Sequence, residues 1–270
     1  MSSPVFRSGS EFKPGATFDQ QGSLVTADQL QQMYEAPAAT AVDTGRMSYE
    51  GTITKAAGIV LLTMLAAAPG YMFPNFGLMI AGAIGAFVLA MIVIFQKRAN
   101  PVLIALYAIG EGYFLGGITN WVETRFEIPG AGVQALIATF VTFAVCLALY
   151  RSGKVRYTSK MRKFFLIGGI SYLLFSLVNI GYMWFGPSQS AWGLRSDVML
   201  GPVPLGVALG AFAVLLACIS LIGDFDYIEN AVKGGAPAHV EWKAAFGLIL
   251  TLVWLYIEFL RIIAILTGRN

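Results

Sequence analysis

Long apolar runs alternate with short polar segments along the whole chain after about residue 50. A helix needs about 20 mostly apolar residues to cross a bilayer, because the hydrocarbon core is roughly 30 Å thick and the helix rises about 1.5 Å per residue. Seven runs reach that length. They are residues 53–72, 76–95, 102–122, 131–150, 164–185, 203–226 and 244–266. The pattern therefore predicts an all-α integral membrane protein, a bundle of seven transmembrane helices.

The composition supports lipid as the main solvent. The chain has 270 residues, of which 57% are apolar and 12% charged, whereas soluble domains carry about 25% charged residues. The first residues differ from the rest, being rich in Ser, Gly, Pro, Gln and Ala. Such a segment buries too little apolar surface to offset its ordering entropy. We expect residues 1–50 to be a mobile polar tail and residues 51–270 to form the transmembrane domain.

The positive charges predict an orientation, since short cytoplasmic loops carry more Lys and Arg. The loops after the second, fourth and sixth runs are basic. They hold Lys97 and Arg98; Arg151, Lys154, Arg156, Lys160, Arg162 and Lys163; and Lys233 and Lys243. The loops after the third and fifth runs hold only Arg125 and Arg195, and the first loop holds neither residue type. The N-terminus is therefore predicted to be cytoplasmic and the C-terminus outside.

Acidic residues within or at the edge of the spans are the candidate functional groups, because an ionisable group at the centre of a membrane helix costs about 2.5–3.5 kcal/mol on insertion scales. Glu111 lies in the middle of the third run, and Asp224 and Asp226 lie at the predicted end of the sixth. Glu258 lies in the seventh run, with Arg261 three residues on.

Except for Glu111, the candidates also have an ordinary structural explanation. Arg261 could pair with Glu258 on one helix face, and the two aspartates could be interfacial acids that end a helix. Glu111 lies between two glycines with no basic residue nearby in sequence, which favours a place along a polar path.

Three segments resemble the Bax-inhibitor family (the transmembrane Bax inhibitor motif proteins), in particular its bacterial members. They are residues 221–228 (LIGDFDYI), residues 255–260 (LYIEFL) and residues 111–118 (EGYFLGGI). The likeness covers roughly residues 50–267 and leaves the tail unmatched. It implies a seven-helix bundle with the last helix at the centre, in a bacterial inner membrane.

The resemblance also implies an activity, a pH-sensitive calcium leak. Asp224 and Glu258 would face each other, and because two carboxylates in contact cannot both ionise cheaply they would share a proton and gate the pathway. Lys97 or Arg98 would hold the closed state. The chain departs from the family pattern at Glu258, where an aspartate is usual, at Arg261 and Asp226, and in a longer segment around residues 234–237.

Two functions remain open on the sequence. A leak channel could offer hard oxygen ligands to Ca²⁺ at Glu111, Asp224, Asp226 and Glu258, with calcium as the permeant ion or weakly bound at Asp224 and Glu258. The alternative is a non-conducting membrane regulator that binds proteases or insertion machinery through the tail and the basic loop.

No enzyme is expected, since His239 is the only histidine and the chain carries no HExxH, GxSxG or P-loop motif. We expect no cofactor and, at a net charge of +3, no nucleic-acid partner. The expected partners are membrane lipid, Ca²⁺ and H⁺.

Overall fold

A computed structural model describes residues 45–186 and 190–268. Within these residues, seven helices are long and apolar enough to cross a membrane. They are α1 (Tyr49–Met72), α2 (Phe76–Phe95), α3 (Pro101–Arg125), α4 (Ala131–Arg151), α5 (Ser159–Phe185), α6 (Leu205–Lys233) and α7 (Val240–Thr267). The prediction of a seven-helix membrane bundle is confirmed. The mobile tail predicted for residues 1–50 lies, up to residue 44, outside the described residues.

Several helices start at a polar residue that caps the free backbone N–H groups of the first turn. The side chains of Ser48, Asn75, Asn100 and Thr158 each accept a hydrogen bond from a backbone N–H of α1, α2, α3 and α5. These caps explain why α1 and α5 begin four or five residues before the predicted apolar runs. Apolarity marks where a helix enters lipid, whereas the cap marks where the helix begins.

The predicted end of the sixth span was wrong. The sequence prediction ended it near Asp226, but α6 continues to Lys233. Asp224 and Asp226 are therefore interior helix residues, about two turns before the end. The extra turns are polar and are held by Glu229, which accepts hydrogen bonds from Tyr150 and Lys233 and forms an ion pair with Arg156 at 2.7 Å.

The last helix is central in the bundle, as predicted. In an 18-residue apolar stretch of α7, half of the residues are buried inside the protein, whereas the corresponding share for α5 is 11%. It packs on α1, α3, α4 and α6 along its length. It also reaches α2 through Lys243 and α5 through Glu258.

The odd-numbered helices finish at one end of the bundle, which we call the outer end in accordance with the predicted orientation; the other is the inner end. At the inner end, the segment before α1 pairs with the segment before α7. Met47 N–H donates to the carbonyl of Ala236 at 2.7 Å, and Ala238 N–H donates to Gly45 at 2.8 Å. Glu241, only 4% exposed, then accepts hydrogen bonds from the backbone and side chain of Ser48 and pairs with Lys55.

At the outer end, the segment between α5 and α6 folds back onto the bundle. It contains one helical turn, Leu194–Asp197, and a short antiparallel hairpin of Met199–Leu200 with Val203–Pro204. Trp192 stacks on Phe126 with ring centroids 6.1 Å apart. Sequence reasoning treated Arg195 as a loop charge, but its side chain is buried, with 5% exposed.

Candidate functional site

The outer half of the bundle centre holds a buried ion pair on α7. Glu258 is 2% exposed and Arg261 is 8% exposed. Their spacing of three residues places them on the same helix face, and the Arg261 guanidinium contacts the Glu258 carboxylate. The structural explanation that the sequence left open for Glu258 is therefore the arrangement that the structure adopts.

Tyr172 of α5 joins this pair to the outer segment. Its hydroxyl donates to Oε1 of Glu258 at 2.5 Å, and it accepts from Nη2 of Arg261 at 2.6 Å and from Nη1 of Arg195 at 3.0 Å. Nη2 of Arg195 also donates to Ser176 Oγ at 2.7 Å. We call Tyr172, Arg195, Glu258 and Arg261 the outer polar cluster. Two guanidinium groups against one carboxylate leave it with an excess positive charge when Glu258 is ionised.

Asp224 lies nearer the inner end and has a different partner. Its Oδ2 accepts a hydrogen bond from Thr251 of α7 at 2.9 Å, and Thr251 lies 3.2 Å from Ser220 Oγ. Asp226 accepts from Asn230 at 2.9 Å. Asp224 and Asp226 both line a cavity of about 440 Å³ that also includes Arg162 and Asn230, which we call the inner vestibule.

The expected contact between Asp224 and Glu258 is not formed in this structure. Thr251, the partner of Asp224, precedes Glu258 by seven residues, or roughly 10 Å along the helix axis. The reason is that each carboxylate is satisfied locally: Asp224 by Thr251, and Glu258 by Arg261, Tyr172 and the indole N–H of Trp254 at 3.2 Å. Whether the two acids act together in gating stays a prediction.

An apolar layer separates the inner vestibule from the outer polar cluster. Leu255 is fully buried in the core. Trp254 packs against Phe165 with ring centroids 6.4 Å apart, and against Tyr172 at 6.2 Å. On α7, the apolar side chains of Trp254 and Leu255 lie between Glu258 and Thr251, the partner of Asp224.

The remaining predicted site residues lie apart from the outer polar cluster. Glu111 is half-buried on α3, one turn from Tyr107, which packs edge-on against Phe246 of α7. Lys97 and Arg98 are exposed at the inner end. Their role in the closed state stays a prediction. Lys243 of α7 contacts the end of α2, and its Nζ lies 3.3 Å from the carbonyl oxygens of Ile94 and Gln96.

Among the described residues, no group of three or more His, Cys, Asp or Glu side chains is placed to hold a metal ion. Asp224 and Glu258, considered from the sequence as a weak calcium site, have the separate partners described above.

Sequence reasoning missed Tyr172 and Arg195. Tyr172 follows Ser171 inside an apolar run, and two adjacent polar groups there are a weak signal of a buried contact. Arg195 gave no signal, since an arginine in a polar loop is normally solvated.

This arrangement defines a class: a multi-pass membrane protein whose central last helix carries a buried, ion-paired carboxylate. Comparison with known families agrees and is more specific. The family model described as "Bax inhibitor 1 like" matches residues 3–268, so the chain belongs to that family. The match begins well before residue 50, which corrects the expectation that the N-terminal segment lies outside the likeness.

One curated relative belongs to another class of membrane protein. The chain is 29% identical over 146 residues to a protein of Magnetococcus marinus named "Na(+)/H(+) antiporter NhaA 2". The similarity covers 52% of this chain and 33% of the antiporter. The chain thus spans about a third of the length of the curated relative that it matches.

Proposed function

We propose that this protein is a pH-sensitive cation leak channel with calcium as the permeant ion, and that Asp224 and Glu258 are its titratable gating groups. The observation that carries the proposal is the position of these two acids. They lie on either side of the apolar layer around the central helix, one in the inner vestibule and one in the outer polar cluster. Family membership and the similarity to a protein named as a sodium–proton antiporter support cation movement linked to protons.

The inner vestibule supplies the cytoplasmic mouth of the proposed pathway. Carboxylate and amide oxygens are the ligands that Ca²⁺ prefers, and Asp224, Asp226 and Asn230 offer them side by side. A cation that arrives there meets two barriers. The first is the layer of Phe165, Trp254 and Leu255, and the second is the positive charge of Arg195 and Arg261 beyond it. In this proposal, the arrangement with both barriers in place is the closed state.

Protonation of Glu258 opens the outer barrier in this proposal. The carboxylate is the only anionic group among the residues of the outer polar cluster, and it lies against Arg261. When it binds a proton, two buried guanidinium groups remain without a counter-charge, and burial of unpaired charge is costly. Arg195 belongs to a connecting segment rather than to a spanning helix, so it is the group that can move outward and reduce this cost.

The test is calcium flux into proteoliposomes between acidic and neutral pH, with wild type compared with Glu258→Gln and Asp224→Asn. Gln keeps the shape of Glu258 but cannot ionise, so we expect flux that no longer changes with pH in that variant. Asp197→Asn is the matched control, because Asp197 is exposed at the outer end. Replacing calcium by sodium in the same vesicles tests the ion.

Each outcome is informative. If neither substitution changed the flux, the protein would still be a channel, but Asp224 and Glu258 would not be its pH sensor. No flux above that of empty vesicles at any pH would reject the channel and favour the non-conducting regulator.

The regulator is the second candidate, and the pairing of the N-terminal segment with the central helix favours it. Because residues 45–48 contact Ala236, Ala238 and Glu241, a partner that binds the tail could act on α7 directly. Deleting residues 2–44 leaves these contacts intact. Flux that survives the deletion supports the channel, and loss of a cellular effect without loss of flux supports the regulator. In either case we place the protein in the bacterial inner membrane with its N-terminus in the cytoplasm.

A further inference from the structure

A large cleft lies between α1 and α4 at the outer end, away from the outer polar cluster. Its volume is about 530 Å³, within the range of roughly 300–1,000 Å³ that is usual for small-ligand sites. Residues of α3 and α7, including Leu115 and Val253, form its floor. Most of its lining is apolar, and nothing in the proposed leak uses it.

The cleft opens sideways to the membrane rather than to water. Met64 of α1 and Val133 of α4 both line it, and they are 47% and 61% exposed. Because both residues belong to membrane-spanning helices, the medium at this opening is lipid hydrocarbon. Along α1 the lining runs from Val60 to Met72, about 18 Å at the usual helical rise. One leaflet of the hydrocarbon core is roughly 15 Å deep, so the cleft has the length of one acyl chain.

A single carboxylate stands at the outer mouth of the cleft. Glu123 is two residues from the end of α3, at the level where lipid headgroups begin. Its Oε2 accepts a hydrogen bond from Tyr71 at 2.7 Å, and its Oε1 accepts from the N–H of Gly132 at 2.8 Å. Both donors are neutral and they fix the carboxylate between α1 and α4.

The charge of Glu123 has no counter-ion within the described part of the chain, where the ion pairs involve other residues. Arg125, the basic residue nearest to it in sequence, directs its guanidinium over the Phe126 ring at 5.9 Å. A fixed negative charge above an apolar slot is complementary to a ligand with a positive head and a hydrocarbon tail. An anionic head would be repelled at the same place.

We propose that this cleft binds a membrane phospholipid with an ammonium headgroup, of the phosphatidylethanolamine type. One acyl chain lies in the slot between α1 and α4, and the ammonium group pairs with Glu123. The Thr119–Tyr256 hydroxyl pair, 2.6 Å apart, links α3 and α7 beside the bound chain. The lipid thereby contacts the central helix directly, and it completes a packing surface that α1 and α4 leave open.

The test is native mass spectrometry of the full chain. The purified protein is delipidated in detergent and then incubated with equal amounts of phosphatidylethanolamine and phosphatidylglycerol that carry the same acyl chains. For wild type we expect one retained lipid per chain, with the ethanolamine lipid at least several-fold over the glycerol lipid. Glu123→Gln keeps the size of the side chain and one oxygen acceptor for the Gly132 N–H, presents an amide NH2 from which the Tyr71 hydroxyl can accept, and loses the charge. Retention should therefore continue without headgroup preference. Glu127→Gln, an exposed acid at the same end, should behave as wild type.

A second pair of variants tests the slot itself. Val133→Trp should fill the mouth and abolish retention of either lipid, whereas Val141→Trp, 56% exposed on the same helix but outside the lining, should have no effect. Both positions face lipid, so neither change is expected to prevent folding. The proposal is overturned if Val133→Trp retains lipid as wild type does, if phosphatidylglycerol is preferred, or if Glu123→Gln keeps the wild-type preference. It is also overturned if the cleft is covered by a second chain, seen as a lipid-free dimer that Val133→Trp disrupts.

Discussion

Tyr172 donates a hydrogen bond of 2.5 Å to Glu258, although the two residues are 86 positions apart in the chain. The same hydroxyl oxygen accepts from Arg195 and Arg261. One phenol therefore connects a lipid-facing helix, the central helix and the outer connecting segment. Removal of that hydroxyl should affect all three.

Tyr172→Phe should destabilise the protein by about 1–3 kcal/mol, because it leaves buried polar groups with fewer partners. We would measure unfolding in detergent by thermal or chemical denaturation. Tyr182→Phe, on the same helix, is the control, since no hydrogen bond of its hydroxyl is seen among the described residues. Equal stability of the two variants would contradict the central role of Tyr172 in the outer polar cluster.

The Glu258–Arg261 pair should give a large coupling energy in a double-mutant cycle. Glu258→Gln or Arg261→Met alone leaves a buried charge without its partner, which costs about 3–5 kcal/mol. The double variant removes both charges and should be more stable than the sum of the single effects predicts, by about 0.5–3 kcal/mol. Additive effects, measured as unfolding free energies in one detergent, would mean that the two charges act independently.

Glu241→Gln should loosen the inner end of the bundle. The carboxylate accepts hydrogen bonds from Ser48 and pairs with Lys55, and bonds to charged groups contribute about 1.5–3 kcal/mol each in favourable cases. Hydrogen–deuterium exchange should increase at the first turns of α1 and α7 and change little at the outer end. Glu50→Gln, an exposed acid in the first turn of α1, should leave the exchange pattern nearly unchanged. An equal increase in exchange at the inner and outer ends would show that the contacts of Glu241 do not stabilise the inner end specifically.

Gly112→Ala should separate α1 from α3. A Cβ at Gly112 would lie 2.8 Å from the Cβ of Ala66, closer than packed carbon atoms allow, and overpacking costs about 1–3 kcal/mol. Gly85→Ala on α2 is the matched control, because a Cβ there meets nothing within 4 Å. The midpoint of thermal unfolding should fall for the first variant and stay for the second. A Gly112→Ala protein as stable as wild type would show that the close approach is dispensable.

The seven spans could be predicted from the sequence because hydrocarbon thickness sets the length of each apolar run. The helix ends could not, since they depend on caps such as Thr158 and on polar contacts such as those of Glu229. The sequence also indicated that the charge of Glu258 within a membrane span must be compensated. One of the two explanations considered was an ion pair with Arg261, three residues further along.

The side chains from distant segments that surround Glu258 could not be predicted from the hydrophobic periodicity of the sequence. Tyr172 and Arg195 meet Glu258 only because α5 and the outer connecting segment fold against α7. In the same way, a direct contact of Asp224 with Glu258 depends on the axial offset between α6 and α7, which a motif does not specify. In this structure Asp224 accepts a hydrogen bond from Thr251 instead.

The hydrogen bond from Ser48 to Glu241 joins residues 193 positions apart, and it has a consequence for biosynthesis. Translation delivers α7 after the six other spanning helices, yet α7 occupies the middle of the finished bundle. Until it is inserted, Lys55, Thr119, Tyr172 and Asp224 all lack their partners on that helix. The six helices that surround α7 are therefore synthesised before the helix that fills the space between them.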